Sequence, residues 1–368
     1  MPLLLTLFNF LIGNLKLWMI QVIYAGIDVL IAVILSRVAV NFTEQLLTQQ
    51  KLRMKTYSKD AMKLTLKSED LTNIPTYIFS AYMFNPFTIM NCLGMTITVL
   101  DNLLLACSFL STTKKNKTFT GFFLGLLTCQ SIYNVMFVIP AVMYISNVHS
   151  TKKPFPWNEM LNAFSIYIMM VFLQILLSHH LAGSWHFIKA TYGFTLAVPN
   201  LKPNIGLYWY FFTEMFDHFH LFFIYIFQIN IFVYLVPLVI RFQSEPMLIK
   251  HVLSFLIVIF KPYPCIGDLG FCLALLPLWS HLYKYMRQVF LVCCFFIVTS
   301  TLGPLLYNLW KYEGSANANF YFAITLAFAT AQIFLVSDIL FAYIRRQYYM
   351  HHKINAQLEN KEAALVLK

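Results

Sequence analysis

Glu214, Asp217 and His218 stand at i, i+3 and i+4, a spacing that puts their side chains on one face of a continuous helix. Two carboxylates beside an imidazole can pass a proton, or hold a polar headgroup through hydrogen bonds. With Trp209 and several phenylalanines around them, the same residues also fit a helix lying in a membrane interface. Its polar face would be solvated and its aromatics would form the interfacial belt. Physics alone leaves both open. A charged carboxylate at the bilayer centre costs about 3 kcal/mol, so this face must look at water, headgroups or a partner.

A second polar group is the turn Tyr312-Glu313-Gly314-Ser315-Ala316-Asn317-Ala318-Asn319-Phe320, which leads directly into an apolar run. Asn317 and Asn319 supply amide donors and acceptors, and small neighbours such as Ser315 let a headgroup approach the backbone. An ordinary helix N-cap explains the same residues. His179-His180, His218-Phe219-His220 and His351-His352 superficially suggest histidine boxes. Adjacent residues point about 100° apart on a helix and cannot both face one metal, so no metal site is expected. Asp28, Asp101, Asp268 and Asp338 lie inside apolar runs, where isolated acids face a polar cavity or pair with a base. Asp338, two turns before Arg345, suggests such a pair.

The elements that must position these groups are membrane helices. Of the 368 residues 59% are hydrophobic and only 11% charged, with a mean hydropathy of +0.67. Soluble domains carry about 25% charged residues, so lipid must be the solvent for most of this surface. A spanning helix takes about 20 apolar residues, each adding about 1.5 Å toward about 30 Å of hydrocarbon. Apolar runs fall at about 1–13, 17–36, 75–92, 94–112, 119–131, 132–147, 160–181, 207–240, 248–260, 264–279, 288–309 and 320–343. They predict one all-α domain over 1–368, a polytopic transmembrane helical bundle. Short runs near Pro140, Pro262, Pro264 and Pro304 predict broken or re-entrant helices, allowed where protein surrounds them. The run at 207–240 is too long for one span. It predicts an interfacial helix at about 207–219 and a span at about 220–240.

The net charge of +11 sits in short patches between apolar runs, which is how topology determinants are distributed, so no nucleic-acid partner is expected. The seven cysteines lie in or beside apolar stretches and read as small buried hydrophobes. The start, to Gly13, lacks a basic n-region and cleavage site, and is expected to be membrane helix. Five basic segments are placed in the cytosol: a connection at about 37–73, the Lys114–Lys117 patch, Arg241 with Lys250, Lys284 with Arg287, and a tail at about 344–368. The loop at about 182–206, the interfacial helix to 219 and the turn at about 310–319 then share the opposite face. The sequons Asn41-Phe42-Thr43 and Asn116-Lys117-Thr118 fall on the cytosolic side and are expected to be unused.

The same stretches carry a resemblance. Asn200-Leu201-Lys202-Pro203-Asn204-Ile205-Gly206-Leu207-Tyr208-Trp209-Tyr210-Phe211-Phe212-Thr213-Glu214-Met215-Phe216 resembles the P-N-I-G-L-x-W-Y-F-x-x-E-M-F block of one family. That family is the U subunit of glycosylphosphatidylinositol (GPI) transamidase, PIG-U. Phe84-Asn85-Pro86-Phe87-Thr88-Ile89 resembles its F-N-P-Y-T-I, and the Gly314–Phe320 turn and the ending Leu365-Val366-Leu367-Lys368 agree. The likeness runs from about Pro2 to the terminus. Family members begin with a further helix and a lumenal loop, so the resemblance implies an N-terminally truncated chain.

The resemblance implies a complex of the endoplasmic reticulum membrane that cleaves a C-terminal signal from lumenal proteins and attaches a preformed GPI lipid. Catalysis would belong to a separate caspase-like subunit, leaving no catalytic residue and no cofactor here. The U subunit would be non-catalytic, presenting the GPI lipid and helping to assemble the complex, with a GT-C-like architecture. Its partners would be the GPI lipid, the surrounding membrane and the other subunits. The face bearing 182–219 and 310–319 becomes lumenal. There Asn317, Asn319 and Ser315 are expected to meet the polar part of the lipid, and Trp209, Phe212 and Phe216 to wall its apolar part. Glu214 and His218 would turn a polar face to a partner or headgroup. The alternative is a GT-C-type polyprenyl-phosphate-dependent mannosyltransferase with Glu214 or Asp217 as its catalytic carboxylate. A fatty acid elongase is set aside because its H-x-x-H-H box is absent.

Overall fold

A computed structural model describes residues 2–58, 64–146, 156–197 and 201–352, with the backbone of 357–358 and 361–362. Asn200, at the head of the aromatic block, and the ending Leu365–Lys368 lie outside the described residues. The chain opens with α1 (Pro2–Asn14), α2 (Leu17–Arg53) and the short α3 (Ser68–Leu71). There follow α4 (Ile74–Met83), α5 (Pro86–Leu93), α6 (Thr98–Thr113), α7 (Lys117–Gln130), a 3-10 turn over Ile132–Phe137 and α8 (Val138–Ile145). Next come α9 (Trp157–Ala182), the short α10 (His186–Ile188) and α11 (Phe194–Ala197), α12 (Trp209–Glu214), α13 (Asp217–Val233) and α14 (Leu235–Phe242). The last are α15 (Pro246–Phe260), α16 (Ile266–Ala274) with a 3-10 stretch over Leu276–Tyr285, α17 (Val289–Lys311) and α18 (Ala318–His351). The one strand pairing among the described residues joins Gln357–Leu358 to Lys361–Glu362.

Among the described residues five helical stretches are long and apolar enough to cross a membrane: α2, α9, α13 with α14, α17 and α18. A sixth span results if α16 and the 3-10 stretch after it, which meet at 66°, are counted as one. The remaining apolar runs among the described residues fold as shorter helices, and the run around Pro262 and Pro264 is broken as its prolines predict. This is an all-α, multi-pass membrane bundle.

Local chemistry sets the helix starts. Asn85 caps α5 by accepting from the Phe87 N–H at 3.0 Å, and Pro86 takes the first helical position, where its missing N–H costs nothing. Asn116, the first residue of a sequon, caps α7 in the same way through the Phe119 N–H at 3.1 Å. α9 stops at Gly183, whose φ of +67° is left-handed and suits glycine.

Three expectations change. The polar connection at 37–73 is helical over its first half, because α2 continues to Arg53 and buries Val38, Ala39, Phe42 and Thr43. Gln45 there donates to the Thr113 carbonyl at 2.8 Å, which fastens the extension to α6. Secondly, α17 runs through Pro304 without interruption. Thirdly, Asp338 forms no pair with Arg345. Its carboxylate accepts the backbone N–H groups of Arg287 and Gln288 at 2.9–3.0 Å, capping the start of α17. Arg345 turns instead to Tyr349.

α15 is the core of the bundle, buried along its length from Pro246 to Ile259. Its two ionisable residues are answered. Lys250 donates to the Ser108 carbonyl and the Thr112 hydroxyl, both at 3.0 Å, and lies over the Phe109 ring. His251 accepts at Nδ1 from the Trp279 indole at 2.8 Å, so its Nε2 donates to the Cys272 carbonyl at 2.9 Å. Two segments expected in the lumen touch where Asn204 donates to the Pro262 carbonyl at 3.0 Å. Segments expected in the cytosol meet elsewhere, through Arg53–Glu245 at 3.4 Å and the Ser58 N–H on the Met350 carbonyl at 3.0 Å.

Candidate functional site

The aromatic block is held from its first turn. Asn204 accepts from the Gly206 N–H at 2.6 Å while its amide donates to the Lys202 and Pro262 carbonyls. This is an Asx turn pinned to the α15–α16 connection. A Cβ on Gly206 would come within 2.8 Å of Asn204 Oδ1 and 2.9 Å of the Pro264 ring, so only glycine fits there. In that connection burial opposes the Lys261 ammonium. Its ion pair with Asp268, with Asp101 behind, nevertheless lifts its pKa above the ordinary value.

The turn delivers α12 onto the junction of α17 and α18. Trp209 is 1% exposed, stacked on Trp310 at 5.8 Å and against Tyr321 at 5.7 Å. Its surface is consumed by packing, so Trp209 anchors the block and does not line an open groove. Tyr210 stacks on Phe322 at 4.7 Å and donates its hydroxyl to the side-chain oxygen of Asn319. Desolvation and the neighbouring Glu214 carboxylate hold the Tyr210 phenol above its usual pKa. Phe212 lines a narrow cleft with Leu201, Tyr208, Phe227, Phe260 and Pro262.

The 310–319 turn reverses the chain through Gly314, at φ +65°, and through the Ser315 N–H, which donates to the Leu309 carbonyl at 3.0 Å. Ser315 Oγ reaches the same carbonyl at 3.4 Å. Asn317 occupies the N-cap position of α18, yet its side chain makes no cap hydrogen bond and is exposed. Ser315 and Asn319 are exposed beside it.

The acidic face is not built as its spacing suggests. α12 ends at Glu214, Met215 and Phe216 are extended at ψ 144° and 137°, and α13 begins at Asp217. Glu214 and His218 therefore stand on two different helices, both exposed, with Phe216 at the break 80% exposed. Asp217 in the first turn of α13 suits the positive end of the helix dipole. The structure thus brings Trp209, Tyr210 and Asn319 together and leaves Phe216, Glu214 and His218 around an outer rim. Sequence reasoning missed Tyr210, Trp310 and Tyr321 as the fastening of the site; the tyrosine lay inside the aromatic block, and Trp310 two residues before the turn. Of the histidine pairs, His179 stacks on Trp185 at 4.2 Å and His351 packs on Tyr57. Among the described residues no three His, Cys, Asp or Glu side chains gather as a metal would require.

Comparison with known proteins supplies a family. Residues 1–328 match the family described as GPI transamidase subunit PIG-U. Over 375 residues the chain is 38% identical to the human protein named GPI-anchor transamidase component PIGU, covering all of this chain and 85% of that one. Similarity to the Mus musculus protein of the same name is 39% over the same shares. The Saccharomyces cerevisiae GPI transamidase component GAB1 is 29% identical over 270 residues, 73% of this chain and 66% of that protein.

Proposed function

The chain belongs to the PIG-U family of GPI transamidase subunits, and from that premise we propose that it is a non-catalytic component that presents the GPI lipid and helps hold the complex together. Its place is the endoplasmic reticulum membrane, and the bond-making residues belong to a separate caspase-like subunit. The observation that carries the lipid-presenting role is the docking of the aromatic block on the asparagine turn. Tyr210 fixes the Asn319 amide while Asn317 and Ser315 stay exposed beside it. Such a ledge offers hydrogen bonds to phosphate and glycan oxygens, and the aromatic cleft at Phe212 offers an apolar surface next to it. Glu214, His218 and Phe216 form the rim that faces a partner subunit or the headgroup.

Two experiments in cells lacking their own U subunit separate these claims. Expression of this chain should restore a GPI-anchored surface reporter and co-purify the other subunits; failure of both would reject the transamidase role. The double variant Asn317→Ala/Asn319→Ala should still insert and co-purify but lose most reporter. Full reporter with that variant would sink the assignment of the asparagine turn.

A further inference from the structure

Away from the asparagine turn, a cleft of about 190 Å³ opens between α2, α4 and α5. Asp28, Tyr82 and Thr88 are buried at its floor, while Val29, Ile89 and Leu93 are 44%, 45% and 76% exposed at its rim. Asp28 is 7% exposed, and its Oδ1 accepts the Tyr82 hydroxyl at 2.8 Å. No donor among the described residues makes a hydrogen bond to Oδ2, although the weakly donating Cys92 thiol stands beside the carboxyl. A buried carboxyl oxygen without a partner is costly, and here it looks into a cavity.

Position and size narrow the occupant. Asp28 lies eleven residues beyond Leu17, about 16 Å along α2 and so about halfway across the hydrocarbon. A charged headgroup is too costly at that depth. A partner helix, about 10 Å wide, is too large for the cleft, which holds a short stretch of hydrocarbon. The missing partner must be small, uncharged and attached to an apolar chain. A hydroxyl both donates and accepts, so it meets the Asp28 carboxyl whether that group is ionised or protonated.

We propose that this cleft binds the hydroxyl end of a neutral long-chain lipid alcohol, with the hydroxyl on Asp28 Oδ2 and its first methylenes against Val29, Ile89 and Leu93. The site is independent of the asparagine turn and makes no use of the GPI headgroup.

The test uses the full chain in its native membrane and two probes: a photoactivatable, clickable long-chain alcohol and its deoxy analogue, in which a hydrogen replaces the hydroxyl. The alcohol should label the peptide carrying Ile89–Leu93 about tenfold more than the deoxy analogue, the ratio that one hydrogen bond to a carboxyl group supports. Asp28→Leu should bring the two probes level. Because that change touches the buried Tyr82 bond, Ile89→Trp provides a second arm, filling the cleft from its rim and lowering alcohol labelling at unchanged protein level. Equal labelling by both probes in the unaltered chain would overturn the proposal, as would full labelling of the Ile89→Trp variant. A cross-link from a photo-reactive residue at position 89 to another polypeptide would also overturn it, assigning the cleft to a protein partner.

Discussion

Tyr210 on α12 donates its hydroxyl hydrogen bond to the side-chain oxygen of Asn319, in the first turn of α18 and 109 residues further along the chain. The bond sets which way the Asn319 amide points, and so which of its atoms a headgroup meets. Tyr210→Phe keeps the ring on Phe322 and removes this bond, worth about 1 kcal/mol, together with the hydroxyl's contact with Glu214. The variant is expected to accumulate normally and to restore a GPI-anchored reporter only partly. Surface staining in cells lacking their own U subunit reads this directly. Full restoration would mean that the orientation of Asn319 is irrelevant to transfer.

Trp209 and Phe216 separate packing from recognition within one short block. Trp209 is buried among Trp310, Tyr321 and Phe322, whereas Phe216 is 80% exposed at the break between α12 and α13. Trp209→Ala leaves a cavity and should cost about 3–5 kcal/mol. It is expected to lower both the melting temperature in detergent and the amount of protein in the membrane. Phe216→Ala should leave both unchanged while weakening co-purification of the other subunits or reporter anchoring. Loss of melting temperature in Phe216→Ala would show that this side chain packs within the chain.

The helix inventory was legible because it depends on local composition. The apolar run at 288–309 became α17 at Val289–Lys311, and the run at 160–181 became α9 at Trp157–Ala182. Charge ends such runs, and charge is visible in the sequence. Breaks inside a uniformly apolar run are harder. Residues 207–240 contain no proline before Pro237, and the break at Met215–Phe216 lies between two aromatic stretches. One signal was available, Asp217 as a first-turn acid. The residue types of the site were legible as well, but their state was not. An aromatic in a core and one in an interfacial belt read alike, so the burial of Trp209 had to come from Trp310 and Tyr321. Asp338 failed for the same reason: its partners are backbone N–H groups some fifty residues away, where two-turn spacing pointed to Arg345.

Arg53 and Glu245 give a dependence on pH. Glu245 lies between α14 and α15, where burial pushes its carboxyl above the ordinary range, and Arg53, with Arg346, pulls it back. A raised carboxyl pKa means that its contribution is fully present below the unfolded value and is lost as pH rises through the folded one. Removing Arg53 raises it further. Arg53→Met should therefore lower the melting temperature in detergent much more at about pH 8, where the carboxyl must ionise, than at about pH 5. An equal loss at both would show that Arg53 acts by packing and not by charge.

Asn91 and Gly267 fix how closely α5 and α16 approach. A Cβ at position 267 would fall 2.2 Å from Asn91 Cγ, far inside contact distance. Asn91 cannot easily retreat: it is 2% exposed, accepts from the Thr96 hydroxyl and lies 3.3 Å from the Cys265 thiol. On the other side, Asn102 holds the Gly267 carbonyl at 3.1 Å. Gly267→Ala must then push the helices apart, costing about 1–3 kcal/mol or more. Asn91→Ala loses hydrogen bonds but leaves the room that the added methyl needs. The two residues touch, so their costs should not add. The double variant is expected to be more stable than the sum of the single losses by about 1–3 kcal/mol. Melting temperatures of the four proteins in one detergent measure that coupling. Strict additivity would mean that α5 and α16 can shift independently of this contact, and that glycine is not required there.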